Sequence, residues 1–535
     1  MPKKLYIAEK PSVAQEFARA LHLQTKRGDG FLESDEAVVT WCVGHLVTMS
    51  YPEAYDPALK RWSLATLPFL PDHFLYEVIP QVKKQFETVS TLLNRADVDT
   101  IYVCTDSGRE GEYIYRLVRQ MAGVKGKTEK RVWIDSQTEE EIHKGIREAK
   151  DISCYDHLAE AAYLRAKEDY LMGINFSRLL TLRYGRQLGG MLQRDKTVLS
   201  VGRVMTCVQG MVVRREREIR SFVKTPFFRV TAGLSLGNTA FEAEWRSVPG
   251  SRYYQHPCLY KENGFSERTS AERLIRELEE HSPLEAVLLK HEKKTEKKNP
   301  PLLYNLAELQ NECSRTLKMS PDETLQTVQE LYEKKLVTYP RTDARVLSTA
   351  VAKEIDRNLK GLTALKDLGD YAARILSEKL YTGIEKTKYT DDKQITDHYA
   401  IIPTGQGRSG SSGLSARALE VYEKIVRRFL CIFCPPAVFN RFGLEFTMPC
   451  GHDPLSTEHF FASFRIRVQA GYQEISGEGA RRPAAARDAQ EGDPAEEASL
   501  ENDPVLLQLL GRLKKGAVFP VSGLMTKEGE TSPPK

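Results

Sequence analysis

Short apolar runs alternate with helical stripes through the first part of the chain. Leu5-Tyr6-Ile7-Ala8 predicts a buried strand, and Pro11-Ser12 opens a helix with Val13, Phe17, Ala20 and Leu21 on one face. A second run, Thr100-Ile101-Tyr102-Val103-Cys104, passes through Thr105-Asp106-Ser107-Gly108 into a helix beginning near Arg109. Strand, turn and helix repeated in this way predict an α/β unit with a parallel sheet over about the first 150 residues. Residues 156–222 predict helices. From Phe228 the period becomes two: Phe228, Val230, Ala232, Leu234 and Leu236 alternate with polar or small residues. Gly237-Asn238 supplies a turn, and Phe241, Ala243 and Trp245 resume the alternation as a hairpin. The same alternation returns at Phe464, Ile466 and Val468, so one β-rich domain is entered twice around a helical insertion. That insertion follows a lysine-rich hinge, Lys290 to Asn299, and Pro300-Pro301. Leu306, Leu309, Cys313 and Leu317 form one helical face. Ser320-Pro321-Asp322-Glu323 is a capping box that opens the next helix, striped by Leu325, Val328 and Leu331. Gly405 to Gly413 and Gly477 to Asp503 are low in complexity, the second reading as a solvated linker.

Composition narrows the class without naming a chemistry. The 535 residues fit three or four domains at roughly 150 residues each, and 77 Lys+Arg against 73 Asp+Glu exclude a strongly basic packaging protein or an acidic disordered one. No run is long and apolar enough to predict a membrane span, and the apolar stretch near Met1 is too short for a signal peptide. Nine scattered cysteines predict reduced thiols and a cytoplasmic setting. The charge is localised: from Ala161 to Arg203 there are eight Lys or Arg and three Asp or Glu.

Three segments concentrate reactive residue types. Glu9-Lys10 follows one strand, and Asp106 with Glu110-Gly111-Glu112 follows another. Carboxylates at the carboxyl ends of adjacent parallel strands face one crevice, and their hard oxygens suit Mg²⁺, which makes Glu9, Asp106 and Glu110 candidate ligands. The ordinary reading is that Glu9 and Glu112 are solvated and Asp106 caps a helix. In the second segment, Leu336 to Asp343, Pro340 forces Tyr339 into an extended conformation, and Arg341 falls on the same side two residues later. A phenol beside a guanidinium suits attack on phosphate; a Tyr-Pro turn with a surface Arg is the plainer alternative. The third segment, Asp397 to Thr404, holds His398 beside an apolar run, where a structural histidine is equally at home.

Taken in order, Glu9-Lys10, Asp106…Arg109-Glu110-Gly111-Glu112, Ser200-Val201-Gly202-Arg203-Val204, Tyr339-Pro340-Arg341-Thr342-Asp343 and His398…Pro403-Thr404 resemble a type IA DNA topoisomerase of the bacterial topoisomerase III branch. The likeness also includes Trp41 to Leu46 and Tyr55-Asp56 through Trp62. It implies a multidomain α/β, α and β fold: a Toprim domain with a parallel sheet, helical domains and a β-rich arch arranged as a ring. The corresponding division is 1–150 Toprim, 151–223 helical DNA-binding, 224–287 arch, 288–408 helical with the nucleophile, 409–475 arch again, 476–504 linker and 505–535 the end of the arch. The resemblance makes Tyr339 the nucleophile of a 5′-phosphotyrosine link and puts Lys10 at the scissile phosphate. It has Arg341 stabilise that phosphate, sets His398 beside the cleavage site, and gives Glu9 and Asp106 a Mg²⁺ ion. Trp62, Tyr170, Arg178, Ser200, Val201, Gly202, Arg203, Val204 and Met205 match positions that touch single-stranded DNA, where aromatics stack on bases and arginines hold phosphates. The implied partners are single-stranded and negatively supercoiled DNA, with no membrane and no nucleotide cofactor, and the protein is expected to be a monomer. Gly126-Lys127-Thr128 agrees, since Met121 stands where a phosphate-binding loop requires its first glycine.

Departures from the pattern are few. Gly108 stands where many members carry a third acidic ligand, Met205 where Gln is usual, Cys207 where Pro is, Tyr170 where Trp is and Ala344 where Ser is. Cys431, Cys434 and Cys450-Gly451-His452 invite a zinc reading, but the loose spacing and apolar setting of the thiols favour core cysteines. Pro533-Pro534 matches a pair that further helices follow in the family, so the ring is expected to lack part of one wall. Two functional readings follow: a Mg²⁺-dependent, ATP-independent topoisomerase, or a truncated form that binds or cuts single-stranded DNA without relaxing it. A primase-type Toprim enzyme leaves the Tyr339 motif without a purpose.

Overall fold

The computed structural model describes residues 2–194, 197–396, 398–406, 413–451, 456–477, 498–500 (backbone) and 504–534. They form two compact units, Met1–Gly210 with Leu302–Leu430, and Met211–Pro301 with Cys431–Lys535. Among the described residues no helix is long and apolar enough to cross a membrane.

The first unit is built on a seven-stranded sheet. Its central strand, Lys3–Ala8, pairs in parallel with Ala37–Trp41 on one side and Val98–Cys104 on the other. Apolar side chains leave both sheet faces, so Leu5 and Ile7 enter one core while Tyr6 and Ala8 enter another. That two-sided burial is why the strands read as continuous apolar runs. Ala8 lies in register with Cys104, so the chain leaves both strands side by side at their carboxyl ends. The helices Pro11–Ala20 and Arg109–Ala122 begin there, as the sequence predicts. Gly126 turns at φ 69°, and the Lys127 ammonium caps the carbonyls of Arg95 and Val98, which leaves it the structural turn expected.

The insertion 302–430 belongs to this unit. Its helices Leu306–Leu317 and Pro321–Glu333 occur as predicted, the second with a complete Ser320–Glu323 capping box. Two apolar runs then lie beside each other. Val337 bridges Pro403, and Thr338 donates its N–H to Ile402 O and its hydroxyl to Ala400 O. Leu336, Val337, Ile401 and Ile402 are fully buried.

The second unit is a ten-stranded sheet with a single large core. The predicted hairpin is present as Pro226–Leu236 and Thr239–Arg246, and Thr457–Gln469 joins it from the second visit. The lysine-rich segment is not a hinge. It is the outer part of a long strand, Glu285–Lys298, paired along its length with Ala437–Pro449. Its outer residues expose both faces to water, so the alternation that marks a half-buried strand is missing, and backbone pairing alone determines its form. The strand Gly523–Glu530 pairs antiparallel with Pro226–Leu236 in this sheet. Cys431, Cys434 and Cys450 are buried thiols, as expected, while His452 and most of the predicted linker lie outside the described residues.

Candidate active site

Glu9 and Asp106 meet where the two parallel strands end. The Asp106 N–H donates to the Glu9 carboxylate at 3.3 Å, and the two residues are 8% and 9% exposed. Burial, then the neighbouring Asp106 charge, pushes the Glu9 carboxyl up to about 7. Burial also raises Asp106, against the pull of Lys10 and Arg341. Two carboxylates held this close out of water repel one another, a cost that a hard cation between them relieves; the donor set fits Mg²⁺. Glu110 does not converge on the pair. It is half exposed, 3.8 Å from His45 and 3.9 Å from Arg165.

The loop is held from below by a residue that no local pattern singles out. Arg131 is fully buried and bonds Glu112 at 2.6 Å, while its guanidinium also donates to the carbonyls of Val103, Thr105 and Asp106. Glu112 is therefore a buried anchor, not the solvated carboxylate of the ordinary reading. Gly111 is required between them: a Cβ there would meet the Asp106 carbonyl oxygen at 2.0 Å.

Tyr339 is placed over the same crevice. It is 4% exposed, and its N–H donates to Asp135 O at 2.9 Å. A Cβ on Gly108 would lie 3.9 Å from the Tyr339 hydroxyl, so this position faces the phenol directly. Burial and the Asp106 charge raise the phenol pKa, while Arg341 lowers it. Arg341 likewise stabilises the ionised forms of Glu9 and Asp106, so one guanidinium acts on the phenol and both carboxylates. Lys10 faces the insertion and pairs with Glu333 at 2.5 Å.

His398 completes the arrangement. Its ring lies 4.5 Å from the Tyr339 ring and stacks on Trp133. One ring nitrogen meets the Asp135 carboxylate at 2.5 Å and the other the Ser107 carbonyl. The ring is thus held from both nitrogens. Asp135 thus holds Tyr339 through its backbone and His398 through its side chain, a role that no local pattern reveals because both partners lie far away in sequence.

The expected DNA-contacting residues lie mainly on the long helix Asp156–Leu192 and the start of Arg203–Ser221. The Arg178 guanidinium sits 5.2 Å over the exposed Trp62 ring. Tyr170 packs against Phe69 and Phe74 and donates to Ser50 O, which makes it a support more than an open platform. The Val201 N–H bonds Ser177 Oγ at 2.8 Å, fixing the Ser200–Gly202 turn on that helix. Arg203 pairs with Asp169 at 2.8 Å and Glu168 at 2.9 Å, while Val204 and Met205 are exposed.

Comparison with known proteins agrees with this geometry. Residues 4–136 match the Toprim domain family and residues 153–535 the family described as DNA topoisomerase. DNA topoisomerase 3 of Bacillus cereus (strain ZK / E33L) is 33% identical over 538 residues, covering 100% of this chain and 65% of the relative. That of Bacillus subtilis (strain 168) is 34% identical over 537 residues, covering 100% and 66% respectively. The chain therefore spans just under two thirds of the length of these relatives. Full-length topoisomerase I from Thermotoga maritima shares the fold, with a TM-score of 0.63 at 20% identity over 99% of this chain and 73% of that one. With a Toprim match over the carboxylate pair and a topoisomerase match over the buried tyrosine, the chain belongs to the type IA DNA topoisomerases, on the topoisomerase III side of that family.

Proposed function

We propose that the chain cleaves one DNA strand through Tyr339, allows a strand to pass and reseals the break, relaxing or decatenating DNA without a nucleotide cofactor. The observation that carries this reading is the convergence of the buried Tyr339, His398, Glu9 and Asp106 in one crevice, with the exposed Arg341 near enough to act on the phenol and both carboxylates. In the forward step the Tyr339 oxygen forms a bond to phosphorus and the P–O3′ bond breaks. The phenol proton leaves, and a proton is delivered to the 3′-oxygen. Glu9, with a carboxyl near 7 when no cation is bound, is suited to hold or release that proton at neutral pH. Arg341 meets the charge developing on the phosphate, and Lys10 joins it on exchanging Glu333 for the scissile phosphate. His398, held by Asp135 and Ser107 O, fixes the Tyr339 ring. Mg²⁺ held by Glu9 and Asp106 would supply further charge neutralisation at the phosphate. Resealing reverses these steps, the phosphotyrosine having kept the bond energy. Single-stranded DNA would run along the Trp62–Arg178 stack and the Ser200 to Met205 turn.

The test compares wild type with Tyr339→Phe on negatively supercoiled plasmid, with Mg²⁺ and without ATP, and on a 3′-labelled single-stranded oligonucleotide. Wild type should relax the plasmid and cut the oligonucleotide, with protein attached to the 5′ phosphate; the variant should do neither. Cutting without relaxation supports the cleavage-only form, and equal inertness of both proteins removes the enzymatic reading.

A further inference from the structure

A second cluster of ligating side chains lies at the far end of the first helix. His22 follows the helix Pro11–Ala20, whose ten residues span about 15 Å from the Glu9–Lys10 end. Glu139 and His143 stand one turn apart on the helix Glu139–Arg147. One ligand atom from each of His22, Glu139 and His143 lies within 4.8 Å of the others. His22 Nε2 is 3.3 Å from the Glu139 carboxylate, and the two imidazole rings are 6.4 Å apart at their centroids. Two ligands about 2.0–2.1 Å from one tetrahedral ion are about 3.4 Å apart, so the His22–Glu139 pair is already at ligand spacing and His143 needs only a small side-chain rotation.

The placement of His22 is unusual. It adopts φ 53°, a left-handed conformation normally left to Gly or Asn, with its N–H on Arg19 O and the next N–H, of Leu23, on Ala18 O. That turn aims the ring at the neighbouring helix. The amino end of that helix is electropositive and by itself disfavours a cation. Glu139, Glu140 and Glu141 in its first turn offset this.

We infer that His22, Glu139 and His143 form a surface site for a first-row transition ion, with zinc the natural probe. Two imidazoles and one carboxylate select zinc, cobalt, nickel or copper over Mg²⁺, which prefers oxygen donors alone. Three protein ligands leave a fourth position for water. The ion would tie the end of the first helix to the helix that follows Asp135.

The full chain, stripped with chelator and returned to excess Mg²⁺ to occupy the carboxylate pair, is titrated with Zn²⁺ against a chromophoric chelator. One equivalent should bind tighter than about 100 μM, and His22→Ala and His143→Ala should each weaken it at least ~10-fold. With Co²⁺ the wild type should show visible bands and no thiolate charge transfer, which separates this site from the exposed Cys154 and Cys207. His22→Cys, which keeps a ligand atom, should retain zinc and gain that charge-transfer band. Unchanged stoichiometry and affinity in both alanine variants, or thiolate bands in the wild type, would overturn the assignment.

Discussion

Two helices of this chain start from the same Gly-Arg step, and each carries a motif of the family. The helix Arg109–Ala122, after Gly108, buries half its residues, including Glu112, Tyr115 and Leu117. The helix Arg203–Ser221, after Gly202, buries none, and Val204, Met205, Val208, Met211 and Val212 are open to solvent. The first is a structural wall: its sequence is dictated by the sheet beneath it and by the loop it must hold. The second is exposed along nearly its whole length among the described residues. The same Gly-Arg start therefore stands in opposite settings, one buried against the sheet beside a carboxylate pair and the other exposed.

Glycine substitutions test this contrast most sharply. Gly111→Ala puts a methyl 2.0 Å from the Asp106 carbonyl oxygen, and that carbonyl cannot retreat because Arg131 bonds it. The loop must shift, with a stability loss of about 3 kcal/mol or more and cleavage reduced at least ~100-fold. Thermal or urea unfolding and oligonucleotide cutting measure the two effects. A variant with near wild-type stability and cleavage would show that the loop is softer than its packing indicates.

The next effect concerns charge inside the same wall. Glu9 has a carboxyl near 7 in the fold against an ordinary value of 4.5. Below about 4.5 the proton is bound in both folded and unfolded chains, and burial of Glu9 costs no ionisation energy. Between those values the unfolded chain ionises first, so stability falls as pH rises and the full penalty stands above 7. Glu9→Gln removes the ionisation, and at pH 8 without metal it should be more stable than wild type by up to about 3 kcal/mol, with no difference near pH 4. Cleavage should be lost at every pH. Unfolding measured at the two pH values checks the sign; a variant less stable than wild type at pH 8 would mean that Glu9 contributes favourable contacts exceeding its charge penalty.

Legibility followed the same division. The strands ending at Ala8 and Cys104, the helices after them and the Ser320–Glu323 box were readable because short local patterns determine them. Glu9, Asp106, Tyr339 and His398 were readable only as a set, since each alone has an ordinary explanation. Arg131 and Asp135 were not readable. Their roles rest on partners far away in sequence, Glu112 and the Asp106 carbonyl for one, His398 and the Tyr339 N–H for the other. The strand Glu285–Lys298 was misread as a hinge because its charged outer residues answer to water on both faces, and only pairing with Ala437–Pro449 reveals it. Glu110 looked equivalent to Glu112 in sequence, yet one turns to solvent and the other to Arg131.

The smallest expected effect lies on the open helix and has the opposite sign to the first. Gly210 sits in the interior of Arg203–Ser221, and a Cβ there meets nothing within 4 Å. Alanine removes backbone freedom from the unfolded chain and strengthens the helix without touching a neighbour. Gly210→Ala should therefore stabilise the protein by about 0.5–1 kcal/mol. It should leave cleavage of a short oligonucleotide unchanged, since the Tyr339 crevice does not feel the substitution. If this helix must bend at Gly210 when DNA binds, the variant should instead bind single-stranded DNA more weakly, as measured by fluorescence anisotropy, while still gaining stability. Paired with Gly111→Ala, it separates a glycine imposed by packing from one kept for movement: only the first has a neighbour to meet.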